Sequence, residues 1–310
     1  MGSYHVDNWS EYNRSLINRG SLTLWISDDA IAKWLAPKSK GKNGRPHIYS
    51  DDAILCALML RAYFHLTFRA VQGFITSIFL LLNIDLPVPS YTRICCRAKE
   101  IKFPKLSKKR PKDLVFDSTG LKVYGEGEWK VKVHGKSKRR TWRKFHIAID
   151  PQSHELSLTE LTTNSIADCE VMPKMMGKAP RSVKNAYADG AYDTAECRRA
   201  AKALGAKAII PPARNAVLRE TDEPAIAERN NFILEIAGLG GDENARKLWK
   251  KLRGYHRRSI VETAMFRFKR FFGGSLQSRE MENQIAEINV KSLVMNKLTQ
   301  VGMPKGRWVP

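Results

Sequence analysis

Cysteine is scarce in this sequence and badly placed for cross-linking. There are five, an odd number, and Cys95 and Cys96 are adjacent. No Cys-x2-Cys pair and no Cys/His zinc spacing occurs, which argues against a disulfide framework and a structural zinc site. Reduced thiols follow, with Cys56, Cys95, Cys169 and Cys197 as small apolar fillers. Long hydrophobic runs are lacking too. The longest, residues 74–82, is too short to span a bilayer, and residues 1–10 hold no apolar signal segment. The expectation is a cytoplasmic protein with no membrane partner. No internal repeat is visible, and Gly125-x-Gly127 lacks the rest of a nucleotide-binding turn. The largest deficit is in acid: 31 Asp and Glu stand against 53 Lys and Arg, a formal net charge of +22.

Such a surplus repels itself unless it meets a polyanion. Nucleic acid is the usual one, because each phosphate contact releases a condensed counterion. A solvated basic surface without a ligand is the bland alternative. The 310 residues suffice for two or three compact units with a real core.

Ser27 before Asp28-Asp29, Ser50 before Asp51-Asp52, and Ser90 all read as helix N-caps. They predict a short helix near Trp34, an apolar helix to about Phe64, and a third helix exposing Arg93, Arg97 and Lys99. A further helix is expected over 68–82, and residues 39–46 read as a linker. Helices of this kind, the last one basic, suit a small all-α helix-turn-helix-like unit with Arg93 and Arg97 facing DNA, although a plain bundle fits as well. Residues 97–112 carry eight Lys and Arg with only Glu100 against them, a domain linker able to lie along a phosphate backbone.

The texture then changes. Strands are expected over 114–121, 143–150 and 154–162, the last two joined by a turn at 151–153. A helix over 165–176, a strand over 183–189, a Thr194-capped helix to 204 and a strand at 207–210 follow. A meander succeeded by alternating helix and strand implies an α/β fold, a mixed sheet flanked by helices. Residues 213–245 read as a polar, irregular insertion, and 246–271 as one long basic helix. The expected domains are an N-terminal arm and short helix at 1–46, a helical DNA-binding domain with basic linker at 47–112, and a catalytic domain at 113–310.

Three acids stand out. Asp117 and Asp189 lie on apolar strands, where a carboxylate is costly unless a cation compensates it. Pairing with Arg or Lys would explain either one alone. Glu262, however, is the only acid between residues 246 and 270, a stretch with ten Lys and Arg. On a continuous helix Tyr255, Arg258, Glu262 and Lys269 fall within about 60° of one another, so one face would present a hydroxyl, two cations and a carboxylate. A second basic run, residues 130–144, has eight Lys and Arg and no acid, with Trp129 and Trp142 near its ends. It reads equally as a DNA-contacting hairpin or as a charged edge strand. His134, His146 and His154 are scattered and lack the pairing of ligands.

The spacing Tyr255-x2-Arg258-x3-Glu262-x6-Lys269 resembles the Y-R-E-K signature of bacterial insertion-sequence transposases of the DDE type. Ala188-Asp189-Gly190-Ala191-Tyr192-Asp193 looks like that family's second acidic motif, and Phe116-Asp117-Ser118-Thr119 like its first. Asp189 follows Asp117 by 72 residues, and Glu262 follows Asp189 by 73, family-like intervals. The stretch from Trp9 to Trp34, including Leu16-Ile17-Asn18-Arg19-Gly20-Ser21-Leu22-Thr23, resembles the insertion-sequence-five family. The resemblance implies a ribonuclease-H-like catalytic domain with Asp117, Asp189 and Glu262 as catalytic metal ligands. It also implies two Mg²⁺ ions per site, with Mn²⁺ as a substitute. Tyr255, Arg258 and Lys269 would hold end-DNA phosphates. The implied partners are double-stranded DNA, as terminal inverted repeats and as target, and a second copy of the chain when assembled on DNA. The rival readings are a nuclease or resolvase of the same fold, a catalytically idle DNA-binding descendant and, more distantly, an RNA-binding protein.

Overall fold

In the computed structural model, residues 3–37, 46–123 and 142–309 are described. All but Pro46 of the linker expected at 39–46, most of the basic run at 130–144, Gly125, Gly127, Trp129 and His134 lie outside them. The chain divides into two compact units, Met1–Pro104 with Glu280–Pro310, and Lys105–Arg279.

The first unit is helical. Ser27, Ser50, Thr67 and Ser90 each accept the backbone N–H three residues on, which starts the helices Asp28–Ala32, Asp51–Tyr63, Phe68–Leu81 and Tyr91–Arg97. A break between the second and third of these bends the chain by 111°. Among the described residues no single helix is long and apolar enough to cross a membrane. Trp34, Ile54, Leu60, Ile75 and Ile94 are buried, and the Trp34 indole donates to Pro87 O at 2.8 Å.

Two expectations fail in this unit. Arg97, expected on an exposed face, is only 5% exposed, because its guanidinium bonds Asp51 at 2.5 Å and Tyr49 O at 3.3 Å. Arg93 is exposed. Residues 280–310, expected in the catalytic domain, belong here instead. The helix Met281–Val301 packs against Asp51–Tyr63 and buries Ile288, Val294 and Leu298, together with a Glu287–Lys291 pair. Strand β1 (Ser3–Val6) then pairs antiparallel with the last strand, β8 (Gly306–Val309). A Cβ on Gly306 would run into His5 O, so only glycine permits this close approach.

The second unit holds the mixed sheet. Its strands are β2 (Asp113–Val123), β3 (Trp142–Ile149), β4 (Leu156–Thr163), β5 (Asn185–Tyr187), β6 (Lys207–Ile209) and β7 (Ser275–Leu276). The order is β4-β3-β2-β5-β6, with β7 also paired to β2. β2, β3 and β4 form the antiparallel meander, and β5 and β6 continue it in parallel. This is the ribonuclease-H-like arrangement. Alternation along β2 sends Leu114 and Phe116 into a core with Met172 and Met176 of helix Asp168–Lys178 and Ala201 of helix Ala195–Ala203. Asp117 and Thr119 therefore face the other side. There Phe145, cross-strand from Thr119, packs on Phe268 of helix Ser259–Phe272 with ring centroids 4.8 Å apart.

The irregular insertion expected at 213–245 is in fact largely helical, with Pro224–Gly238 and the start of Glu243–Leu252. Phe232 and Trp249 meet at 5.1 Å between the two helices. The long basic helix expected over 246–271 is broken. Gly254 adopts φ 63°, a left-handed residue that ends one helix, and a 3-10 turn, Tyr255–Arg258, precedes the next. The basic segment from residue 105 to 112 is part of this unit: Lys109 and Ser107 bond Glu155, which is 1% exposed, at 2.7 and 2.6 Å.

Candidate active site

Strand register brings the two aspartates together. β2 and β5 run parallel with Val115 opposite Tyr187. Two residues further on, Asp117 stands in β2 and Asp189 just beyond the end of β5. In each, one carboxylate oxygen is held by backbone. Asp117 Oδ1 accepts the Ser118 N–H at 2.8 Å, and Asp189 Oδ1 accepts the Ala191 N–H at 2.9 Å.

The third acid is delivered by a turn stapled to the same strands. Arg257 pairs with Asp113 at the start of β2, and the Tyr255 hydroxyl donates to Ala188 O at 3.2 Å. Arg258 and the helix carrying Glu262 follow directly. The common focus is the Arg258 guanidinium. Its Nη1 bonds Glu262 Oε1 at 2.5 Å, and its Nη2 lies 3.3 Å from Asp117 Oδ2 and 3.9 Å from Asp189 Oδ2. The three carboxylates therefore converge, and the free oxygens of both aspartates turn toward one cation.

Burial pushes the Asp117 carboxyl above its ordinary range. The Ser118 N–H and Arg258 pull it down, while the Asp189 and Glu262 charges add to the rise. For Arg258, burial disfavours the charge, but Asp117, Tyr255, Glu262 and Asp189 outweigh it and leave the pKa raised. Burial also pushes the Tyr255 hydroxyl up to about 12, so it is a neutral donor. Lys269 is exposed on the same helix as Glu262, about two turns on.

Three carboxylates without thiol or imidazole are the donor set of a hard divalent cation. As the groups stand among the described residues, no three acids, imidazoles or thiols enclose an ion, and the Arg258 guanidinium lies among the three carboxylates. In donor type and in shared focus the residues fit such an ion.

An open cleft of about 400 Å³ adjoins Asp189, Tyr255 and Arg258, and Arg214, Arg246 and Lys250 line it. These last three were not singled out from sequence. The i, i+4 spacing of Arg246 and Lys250 was the available signal, hidden among ten basic residues in one stretch. Asp193, quoted above only as part of a motif, is buried between Arg198 and Arg229.

His146 and His154 stand apart from the acids. His146 is 2% exposed on β3 and meets Thr162 Oγ1 at 2.9 Å. Burial lowers its pKa; Asp168 and Glu160 oppose that, and Lys144 adds to it. Burial and Arg267 lower His154, against Asp150. Both are depressed when folded, so below about pH 6.5 the unfolded chain takes up protons first. Stability is then full above that pH and falls beneath it. Urea midpoints measured from pH 7 down to pH 5 are expected to decline. The double substitution His146→Gln, His154→Gln should flatten that decline, and an unchanged slope would remove both histidines from the account.

The description "Transposase DDE domain" matches residues 108–297, and a second family of the same description matches residues 17–126. Among solved structures, a piggyBac transposase synaptic complex with hairpin DNA is similar at 10% identity and a TM-score of 0.40, covering 95% of this chain and 76% of that one. A Drosophila P element transposase strand transfer complex is similar at 11% identity and a TM-score of 0.30, covering 94% and 85%. The first match spans well over half of the sequence and holds Asp117, Asp189 and Glu262 within it, and the chain belongs to the DDE transposase family.

Proposed function

We propose that this transposase cuts the ends of its own DNA element and joins them to target DNA, with Asp117, Asp189 and Glu262 as the catalytic acids. The observation that carries this reading is the convergence of three carboxylates, from the middle of one strand, the turn after another and a helix, on one guanidinium. The DDE family works with divalent metal ions. In this reading two Mg²⁺, or Mn²⁺ in their place, are held by these three acids. Bound there, such ions supply the positive charge that stabilises attacking and leaving oxygens during in-line displacement at phosphorus.

The chain's own residues do the positioning. Water attack at the scissile phosphodiester frees a 3′-hydroxyl and leaves a 5′-phosphate. The 3′-hydroxyl then attacks a target phosphodiester and expels a new 3′-oxygen. Tyr255 stays protonated and steadies the strand end before Asp189. Arg258 and Lys269 suit backbone phosphates, the first as a planar fork and the second as a point charge. Exposed Arg93 belongs to the DNA-facing surface of the helical unit in this reading; buried Arg97 does not. Placement in the insertion-sequence-five family rests on the Y-R-E-K spacing together with the stretch from Trp9 to Trp34. Pairing of two copies on DNA follows from the need to join two ends, and action at the bacterial nucleoid from the need to meet chromosomal DNA.

The test offers purified protein a labelled duplex ending in the element's terminal repeat, and separately a pre-cut end with target DNA. Cleavage and joining with Mg²⁺, and neither with chelator, is the expected result. Cutting without joining of pre-cut ends would favour a nuclease. Binding with no cutting under any divalent ion would favour an idle DNA-binding descendant.

A further inference from the structure

Arg258 is placed oddly for a residue whose only task is to hold DNA. Its guanidinium lies among the three acids, at 2.5 Å from Glu262, 3.3 Å from Asp117 and 3.9 Å from Asp189. Its Nε is buried without a hydrogen-bond partner, so its contacts run to the carboxylates. The backbone here is fixed independently, since Tyr255 and Arg257 staple the turn to Ala188 and Asp113. The Arg258 side chain can therefore change position without moving the turn.

Three carboxylates at one focus repel each other, and a single positive charge offsets that only in part. A divalent ion needs the same inward-facing oxygens, Asp117 Oδ2 and Asp189 Oδ2, that now face Nη2. It would also repel the guanidinium across that short distance. The guanidinium and the ion therefore compete for these oxygens. The cleft beside the site offers somewhere to go, because Arg258 lines it together with Arg214, Arg246 and Lys250.

We propose that Arg258 is the site's resident counter-cation, holding Asp117, Asp189 and Glu262 together before metal arrives and displaced toward the adjoining cleft when a divalent ion binds. The inference rests on the metal-dependent reading above and gives Arg258 a second task in it. It makes metal loading a competition, and it frees a phosphate-binding guanidinium only once the acids have their ions. Arg258 is on this account a positioning residue in the metal-free protein.

Mn²⁺ binding to the full chain, followed by the free-ion electron paramagnetic resonance signal, reads this without any DNA or turnover. Arg258→Gln is expected to bind Mn²⁺ roughly tenfold more tightly than wild type. In chelator it should melt at a lower temperature than wild type, and Mn²⁺ should raise its melting point by more. Arg258→Lys keeps a charge that cannot span three acids, so its affinity should lie between the two; it also serves if the Gln variant does not fold. Mn²⁺ binding by Arg258→Gln that equals wild type or is weaker would overturn the displacement and leave the metal reading standing. No Mn²⁺ uptake by any of these proteins would overturn both.

Discussion

Asp117→Asn is expected to lower metal-dependent end cleavage by roughly four orders of magnitude while leaving DNA affinity in chelator unchanged or higher. The two carboxylate oxygens of Asp117 have separate tasks. Oδ1 accepts the Ser118 N–H at 2.8 Å and Oδ2 faces the common focus. An asparagine keeps the first bond through its own oxygen, which turns its –NH₂ inward. Two N–H groups then point where a cation must sit, so the variant loses a ligand and also opposes an ion. The fold is spared, because Asn fills the same space in a strand paired on both sides. Loss of one negative charge from the site does not weaken attraction for a polyanion. Single-turnover cleavage of a labelled duplex, beside a mobility shift in chelator, checks both halves. Cleavage within tenfold of wild type would remove Asp117 from the metal site.

The acids and the sheet were legible because both follow from short-range rules. Alternation of apolar and polar residues fixes which way a strand residue points, and a lone Glu among ten cations is conspicuous in any register. The helix caps at Ser27, Ser50 and Ser90 were legible for the same reason, since each is a bond over three residues. Periodicity did not show the break at Gly254. A single glycine is tolerated inside a helix, and only its left-handed conformation ends one. Tyr255 and Arg258 consequently reach the site from a turn, although the spacing suggested one helical face.

Long-range partnerships were harder still. Arg97 looked like a surface cation because its partner Asp51 lies 46 residues away in sequence. The helix Met281–Val301 joined the N-terminal unit because it packs against Asp51–Tyr63, more than 200 residues earlier. Arg258 among the acids is the most telling case. The family resemblance implies a phosphate ligand there, and nothing in the spacing says that the same side chain first answers the carboxylates beside it.

Asp193→Ala is expected to cost about 3–5 kcal/mol of stability, the range for stripping one partner from a buried ion pair. Asp193 is 4% exposed at its side chain and sits between two guanidiniums. Arg198 reaches its Oδ1 through Nε at 2.8 Å and Nη2 at 2.6 Å, and Arg229 reaches Oδ2 at 3.1 Å. Each arginine also holds backbone elsewhere, Arg198 at Ile210 O and Arg229 at Val217 O. Five segments are thus tied at one carboxylate: the turn after Asp189, helix Ala195–Ala203, the residue after β6, the segment at Val217 and helix Pro224–Gly238. Burial already lowers the Arg198 pKa, with Asp193 its main support. Without that support two buried like charges face each other. The double substitution Asp193→Ala, Arg229→Ala should therefore be less damaging than Asp193→Ala alone, because it removes one of the opposed cations. Non-additivity of that sign separates an ionic knot from simple packing. Urea unfolding of the four proteins in the cycle supplies the measurement, and strict additivity would reduce Asp193 to a space-filling residue. Asp193 closes the turn that Asp189 opens, since its N–H donates to Gly190 O. The same knot thus fixes where Asp189 stands relative to Asp117, and the milder Asp193→Asn should lose cleavage activity out of proportion to its loss of stability.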